Sequence, residues 1–398
     1  MKNDVSTELL LIYLDSEFNK ININLTGKQL DSLIQQILTP NNKLTDEQLK
    51  YSQYSKKEDF LKILLNKENQ LEKFMEKSDE EHRDYSVSLS SKLAKERLEE
   101  IYNNVPAYFY ELREDSDLVK NSIDSKYSNL LNLLELQIST SIDMTTKFDP
   151  SILDSFNENQ DLFDALQRLQ GRSCLIANEI FVLLKNGFSD GAYARCRTLY
   201  ETMVISCIIS DNECGGNETA KRYLDYSIVN DRKEAEMINE HAEKFNKIKV
   251  SNDKLLELDN EIKILKKEYG NSFAVPNTYN WAFKLLRSDK DKIFFKRLEE
   301  NVEFEHMKVF YKTASNNIHA GSSSLYFHSD LKEELSDNIL MGASDLGILK
   351  PYDIVSYCIN VTTSNLILLI TETTEQLVQI SLLNQLRKDI CQSLNEFE

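Results

Sequence analysis

The alternation of apolar and polar residues is the most informative feature of this chain. Apolar positions recur every three or four residues over most of its length, a spacing that predicts amphipathic helices. After residue 150 the pattern predicts helices over about 152–185, 190–210, 218–246, 252–268, 303–319 and 352–390, with shorter ones around Trp281 and Phe294. Only 10 Gly and 5 Pro occur among 398 residues, too few for the many turns of strand-rich folds. The sequence therefore predicts an all-α protein.

The first 150 residues are more polar and predict several exposed helices. Thr45 and Gln48 stand at the positions of a capping box, which marks a helix start. Residues 66–100 carry closely mixed charges of both signs, as solvated helix faces do. The segment Asn103–Ala107 contains a proline and predicts a break before a second polar helix over about 118–140.

The segment Lys147–Pro150 is the clearest candidate for a domain boundary. Asp149 precedes a proline, which disfavours a continuing helix, and hydrophobicity rises after it. A chain of 398 residues also exceeds what one small core needs. We therefore expect a polar N-terminal helical region over 1–150 and a C-terminal helical bundle over 151–398.

Composition narrows the class of function. A net charge of −18 repels phosphate backbones at long range, which disfavours broad nucleic-acid binding. The most apolar run, Leu366–Ile370, is far too short to span a bilayer, so no membrane partner is expected. The start of the chain lacks a basic segment followed by a long apolar run, so no secretory signal is expected either.

Standard chemical motifs do not occur in the sequence. None of the six cysteines stands in a C-x-x-C spacing, and they lie mostly in apolar helical patterns, as free thiols in a reducing compartment do. The five histidines show no metal-ligand spacing, and no glycine-rich nucleotide loop or nucleophile elbow is present. We expect a cytoplasmic protein that needs no metal and no cofactor.

One polar constellation lies on the predicted helix over 190–210. Tyr193, Arg197 and Glu201 are spaced i, i+4 and i+8, so they share one helix face beside an apolar stripe. Charged groups at the edge of a core must be paired or hydrogen-bonded. The favoured interpretation is an ion pair that joins two helices, and the alternative is a functional site.

A second constellation lies on the predicted helix over 303–319. Tyr311, Ser315 and His319 share a face, and Asn316 lies beside it. His319 would end the helix, where the macrodipole favours the protonated imidazole, and histidine is well suited to proton transfer near neutral pH. The favoured interpretation is a capping or packing histidine, and a general acid or base is the alternative.

Aromatic residues mark a third feature. Trp281 is the single tryptophan and is predicted to open a short helix with Asn280 as its N-cap. A lone Trp after a loop is more often a core anchor than a stacking platform. Arg222, Tyr223 and Tyr226 could line the same interior, or they could pack between helices.

These segments resemble a known family. Residues from about 160 to 330 are similar to the helical family termed domain of unknown function 5677, a resemblance that brings no settled activity. It rests on Leu184–Gly187 followed by Ala194 and Arg197–Glu201, on Arg222 and Tyr223 with Tyr226, on Trp281, and on Tyr311–Gly321. Ala320 separates His319 from Gly321, a small departure from the family pattern.

The bundle also resembles, more remotely, the HEPN superfamily of helical domains. Many of those domains are metal-independent ribonucleases in toxin and antiphage systems, with an Arg and a His on one helix near a dimer interface. Here six residues separate Lys312 from His319, so a lysine stands in the arginine position. Lysine offers a point charge but lacks the bidentate fork of arginine, and Arg197 could supply the missing cation.

Two hypotheses of function remain open. The first is a homo-oligomeric, ribonuclease-like effector in phage defence or a toxin system. His319 would then be the general acid or base, Arg197 or Lys312 would stabilise the phosphate, and Tyr311, Ser315 and Asn316 would position RNA. The alternative is a non-catalytic helical binding or regulatory module, which takes a protein partner through the N-terminal region or a small ligand among Tyr193, Glu201, Tyr223 and Trp281.

Overall fold

A computed structural model describes most of the second half of the chain and part of the first. The described residues are 15, 79–146, 158–242, 244, 248–286, 292–318, 341–370 and 374–397. They are helical or lie in turns, and none of them is in a β-strand, so the all-α prediction is confirmed for them. The chain divides into two compact units, Met1–Glu114 and Asp115–Glu398. The expected boundary at Lys147–Pro150 and the capping box at Thr45 lie outside the described residues.

The first described helix, α1, spans Asp79–Thr146 and crosses the division between the two units. The predicted break at Asn103–Ala107 is wrong, because the helix runs through Pro106. Proline inside a helix removes one backbone hydrogen bond and crowds the carbonyl four residues before it, a cost that the other hydrogen bonds of this 68-residue helix outweigh. Asn104 Nδ2 also donates to the Glu100 carbonyl at 2.8 Å within the same stretch. A single proline in an exposed, otherwise regular helix is therefore tolerated.

The part of α1 in the first unit presents apolar side chains to solvent. These residues are spaced as one face of a helix and are between 44 % and 65 % exposed: Leu98, Ile101, Tyr102, Tyr108, Phe109 and Leu112. We refer to this set as the α1 stripe. Exposed apolar faces of this kind usually mark a contact with another surface.

The second unit contains the C-terminal part of α1 and nine further helices among the described residues. They are α2 (Gln160–Lys185), α3 (Ser189–Ser210), α4 (Asn217–Asp225), α5 (Ser227–His241), α6 (Asn252–Tyr269), α7 (Phe295–Glu299), α8 (Glu305–Ile318), α9 (Leu349–Leu369) and α10 (Thr374–Asn395). Two short 3₁₀ turns, Asn271–Ala274 and Phe283–Leu285, lie between α6 and α7. Helices α2, α3 and α9 pack against one another and form the centre of the core.

The turn between α2 and α3 fixes the geometry of this centre. Gly187 has a φ of 79°, a left-handed conformation that favours glycine, and it ends the helix as predicted. The Phe188 amide donates to the Leu183 carbonyl at 2.9 Å and closes the turn. A Cβ at Gly187 would lie 2.7 Å from the Ser344 carbonyl oxygen, so only glycine lets the segment before α9 approach this closely.

Two of the long helices predicted from the sequence are wrong, because each of these regions forms two helices. The region over 218–246 divides at Tyr226, whose buried side chain donates its hydroxyl proton to the Val275 carbonyl at 2.7 Å and anchors the bend. The region over 352–390 divides after Ile370, since α10 returns to pack against α9. Periodicity persists through such bends because both helices of a pair bury one face.

Three thiols lie in the core, as the sequence predicts. Cys174, Cys196 and Cys358 are free and buried, and burial raises the pKa of each thiol, to about 11 for Cys174. These cysteines therefore act as small apolar side chains. Of the helices described, none is long and apolar enough to cross a membrane.

Candidate functional site

The face of α3 that carries Tyr193, Arg197 and Glu201 packs against α8. Tyr193 is buried against Phe310 of α8, with ring centroids 4.9 Å apart in an edge-to-face arrangement. Burial raises the pKa of Tyr193 to about 12. Tyr193 thus packs within the α3–α8 interface, one turn before Arg197.

Arg197, Glu201 and Tyr311 form a closed polar contact between α3 and α8, which we call the clasp. The Tyr311 hydroxyl donates to Glu201 Oε1 at 2.7 Å. Arg197 Nη2 donates to the Tyr311 oxygen at 3.2 Å and lies 3.2 Å from Glu201 Oε1. The guanidinium carbon is also 5.0 Å from the centroid of the Tyr311 ring. Each of the three groups therefore contacts the other two.

The electrostatics of the clasp keep its charges paired. Burial alone would lower the pKa of Arg197, but Tyr311 and Glu201 outweigh burial and hold it above its ordinary value. Burial raises the pKa of Tyr311, and Glu201 raises it further, so the phenol stays neutral and can donate. The Arg197 and Glu201 side chains are only 20 % and 26 % exposed. The positive charge of Arg197 is thus largely compensated inside the protein.

Residues that the sequence did not single out complete the surroundings of the clasp. The buried Tyr200 donates its hydroxyl proton to Glu299 Oε1 at 2.9 Å. The ring of Phe295 lies 4.8 Å from the ring of Tyr311. Glu299 and Phe295 belong to α7, about a hundred residues after α3, so no local spacing could have linked them to Arg197.

Ser315 and Lys312 of α8 do not join the clasp. Ser315 Oγ donates to the Tyr311 carbonyl at 2.7 Å, a bond within its own helix. Lys312 is exposed and lies about 100° around the helix from Tyr311. His319 and the side chain of Asn316 lie outside the described residues. The catalytic role of His319 therefore stays a prediction.

A groove of about 550 Å³ opens next to the clasp. We call it the aromatic groove. Its described lining comes from α3, α4, α5 and the segment before Trp281: Ile205, Tyr223, Leu224, Tyr226, Ser227, Asn230, Asn277, Thr278, Tyr279 and Trp281. Tyr223 meets Trp281 edge-to-face with centroids 4.9 Å apart, and Trp281 is only 2 % exposed. The groove therefore brings together two residues predicted for a polar cluster, Tyr223 and Trp281.

Buried polar contacts hold the Trp281 segment in place. Arg222 Nε donates to the Trp281 carbonyl at 3.0 Å, and its guanidinium lies 4.2 Å from the Phe283 ring centroid. The prediction that Asn280 is the N-cap of a helix is wrong. Its Nδ2 donates to the Ser272 carbonyl at 2.7 Å, and its Oδ1 accepts from the Ile293 amide at 2.8 Å. Asn280 braces a loop, because Trp281 stands in a turn rather than at a helix start.

The rim of the groove contains a backbone conformation that L residues rarely adopt. Asn277 has a φ of 60°, which asparagine tolerates better than most side chains. Lys233 of α5 donates to the Asn277 side-chain oxygen, and Tyr226 anchors the preceding Val275. Contacts from Tyr226 and from Lys233 of α5 therefore fix the rim.

Two tyrosine hydroxyls in the groove make no hydrogen bond to a described residue. Neither the Tyr223 nor the Tyr279 hydroxyl is hydrogen-bonded to a residue that the structure describes. Burial raises the pKa of Tyr223, and burial with the charge of Glu201 raises that of Tyr279 to about 12, so both phenols are neutral. The charges of Glu201 and Arg197 both affect the pKa of Tyr279. Ile205, which also lines the groove, lies one helical turn after Glu201 on α3. One end of the aromatic groove thus adjoins the clasp.

The described residues offer no metal-binding cluster. Within them, no three His, Cys, Asp or Glu side chains are grouped closely enough to hold an ion. At the clasp and the groove, the described side chains offer hydrogen bonding, aromatic contact and the Arg197–Glu201 ion pair.

Fold and site together define an all-helical protein with an interhelical polar clasp and an adjoining aromatic groove. Residues 163–338 match a family described as a family of unknown function (DUF5677), as the motifs predict for about 160–330. The matched range contains all three residues of the clasp and the whole described lining of the groove. Comparison with curated proteins and with solved structures found no match.

Proposed function

We propose that this protein is a non-catalytic helical binding module whose small ligand occupies the aromatic groove. The observation that carries the proposal is the pair of unused phenol hydroxyls, Tyr223 and Tyr279, inside a groove of about 550 Å³. Ligand sites are typically concave, mostly apolar and of this size, with a few polar groups that orient the ligand. A ligand bound in the groove would give each hydroxyl a hydrogen-bond partner within the complex.

The clasp supports a structural role for the polar residues of α3. Arg197 is compensated by Glu201 on the same helix, and Tyr311 hydrogen-bonds to both, so the phenol rather than the ion pair joins α3 to α8. A cation that stabilises a developing phosphate charge must be free to approach it. Arg197 would have to leave Glu201 and Tyr311 to do so.

Mass spectrometry of small molecules extracted from the purified protein tests the proposal. We expect a compound that is retained by the wild type and lost by the Tyr223→Phe/Tyr279→Phe double variant, which keeps both rings. Tyr110→Phe is the matched control, because Tyr110 is an exposed tyrosine of α1. Equal recovery from the wild type and the double variant would contradict a site in the groove.

A metal-independent ribonuclease is the second candidate function. The observation that favours it is that Arg197 contacts Tyr311 of α8, the helix that precedes His319 in sequence. This candidate function would imply a HEPN-like arrangement, RNA as substrate, a cytoplasmic location and a role in phage defence or a toxin system. The test is cleavage of a labelled tRNA pool without metal. Loss of that cleavage in folded His319→Ala would support the candidate, and no cleavage by the wild type would contradict it.

We also propose that the N-terminal region mediates self-association through the α1 stripe. Together with the half-buried Val105, the stripe has coiled-coil spacing: Leu98, Val105 and Leu112 take one core position, and Ile101 and Tyr108 take the other. In an antiparallel pair about a two-fold axis, Arg97 of each copy would lie beside Glu111 of the other. This self-complementarity favours a second copy of the chain as the partner.

A further inference from the structure

The lining of the aromatic groove restricts the charge of its ligand. None of the ten described lining residues is charged, although 28 % of the chain is charged. An ion held in such a groove would lose hydration without gaining a counter-charge. Among the charges near the groove, Arg197 pairs with Glu201 and Lys233 donates to Asn277. Arg172, whose charge acts to lower the pKa of Tyr223, is exposed on α2 and does not line the groove. The ligand that fits this lining is uncharged.

The same lining restricts the shape of the ligand. Four of the ten residues are aromatic: Tyr223, Tyr226, Tyr279 and Trp281. Tyr223 and Tyr279 both meet Trp281 edge-to-face, at 4.9 and 6.5 Å, so the aromatic side chains form one continuous wall. Aromatic walls favour flat ring systems, which stack on or against them, over branched aliphatic molecules.

Hydrogen bonding adds a third restriction. The Tyr226 hydroxyl and the Thr278 hydroxyl both donate to the Val275 carbonyl, which leaves the Tyr223 and Tyr279 phenols and the exposed Ser227 hydroxyl as donors. Because both phenols are neutral, each can donate to a ring nitrogen or a carbonyl oxygen of the ligand. A purely apolar ligand would bury both hydroxyls without partners, which is unfavourable. The exposed Asn230 amide at the rim can donate and accept at the outer edge.

We infer that the aromatic groove takes an uncharged, planar heterocycle whose ring acceptors meet the Tyr223 and Tyr279 hydroxyls. The inference rests on the proposed function and names the class of ligand. Trp281 is the single tryptophan of the chain and lies in the groove wall, so its fluorescence reports occupancy of this groove directly.

The test is a fluorescence titration of the full chain with six probes. Nicotinamide, adenine and uracil represent uncharged planar heterocycles, whereas choline, benzoate and glucose represent a cation, an anion and a polyol. We expect saturable quenching of Trp281 by at least one heterocycle and by none of the other three. We also expect at least tenfold weaker affinity for that heterocycle in Tyr223→Phe/Tyr279→Phe, with unchanged affinity in Tyr110→Phe.

The possible outcomes of the titration distinguish a wrong class of ligand from a groove that is not the binding site. Saturable quenching by choline, benzoate or glucose alone would overturn the heterocycle and leave a groove that binds another class. Quenching by a heterocycle that the double variant retains would place the ligand elsewhere and overturn the inference. No response to any of the six probes would also overturn it, whereas the proposed binding function is decided separately by the compounds extracted with the protein.

Discussion

At the scale of single residues, the clasp and the groove use tyrosine in opposite ways. The Tyr311 hydroxyl is engaged by both Arg197 and Glu201 in the folded chain. The Tyr223 and Tyr279 hydroxyls have no such partner among the residues described. Removing a hydroxyl should therefore affect stability at one site and ligand affinity at the other.

Tyr311→Phe should destabilise the fold by about 1–2 kcal/mol, because Glu201 loses its donor while the ring packing remains. Urea unfolding followed by circular dichroism measures the change. Tyr110→Phe, at an exposed position, should leave the free energy of unfolding unchanged. Equal stability of Tyr311→Phe and the wild type would show that the clasp contributes little.

Arg197→Ala should cost about 1–3 kcal/mol, since Glu201 would remain largely buried without its cation. Lys312→Ala is the control, because Lys312 is exposed on the neighbouring helix and should change stability by less than about 0.5 kcal/mol. A stable Arg197→Ala protein that has lost RNA cleavage would instead favour the ribonuclease candidate.

Sequence spacing predicted part of this arrangement. The i, i+4, i+8 pattern placed Tyr193, Arg197 and Glu201 on one face, because a helix face is a local property. The contact of Arg197 with Tyr311 joins residues 114 positions apart, so it depends on how α8 packs on α3. No local pattern contains that information.

At the scale of helices, periodicity located the elements better than their ends. Gly187 was identified correctly, because a left-handed turn selects glycine. The bend at Tyr226 carries no Gly or Pro, and a side-chain bond to Val275 stabilises it. The break predicted at Asn103–Ala107 does not occur. Proline is a strong local signal for a break, but the rest of the long helix α1 outweighs it.

The α1 stripe gives a prediction at this scale. Leu98→Glu should shift the protein from dimer to monomer, because it places a charge in the apolar seam. Analytical ultracentrifugation at several concentrations measures the change. Tyr110→Glu is the control, since Tyr110 is 64 % exposed but lies outside the stripe. A wild type that is monomeric at all concentrations would contradict self-association.

At the scale of the whole molecule, buried tyrosines make stability depend on alkaline pH. The pKa of Tyr193 and of Tyr279 is raised to about 12 by burial, from an ordinary value of 10.0. Below pH 10 both phenols are protonated in the folded and unfolded states, so they do not alter stability. Between pH 10 and about 12 only the unfolded state releases these protons, and unfolding becomes easier as pH rises.

Urea unfolding at pH 9, 10, 11 and 12 should therefore show a progressive loss of stability. Phenolate absorbance measured in parallel should rise in two steps, the exposed tyrosines first and the buried ones together with unfolding. A single step near pH 10 in a chain that stays folded would contradict the burial of these tyrosines.

Binding of a small ligand in the aromatic groove is the central property proposed for this protein. A thermal-shift screen of uncharged small molecules against the wild type and the Tyr223→Phe/Tyr279→Phe variant tests it most directly, because a ligand raises the melting temperature only of a protein that binds it. We predict at least one compound that raises the melting temperature of the wild type by several degrees and that of the variant by much less. If every compound shifts both proteins equally, or shifts neither, the groove is not a ligand site.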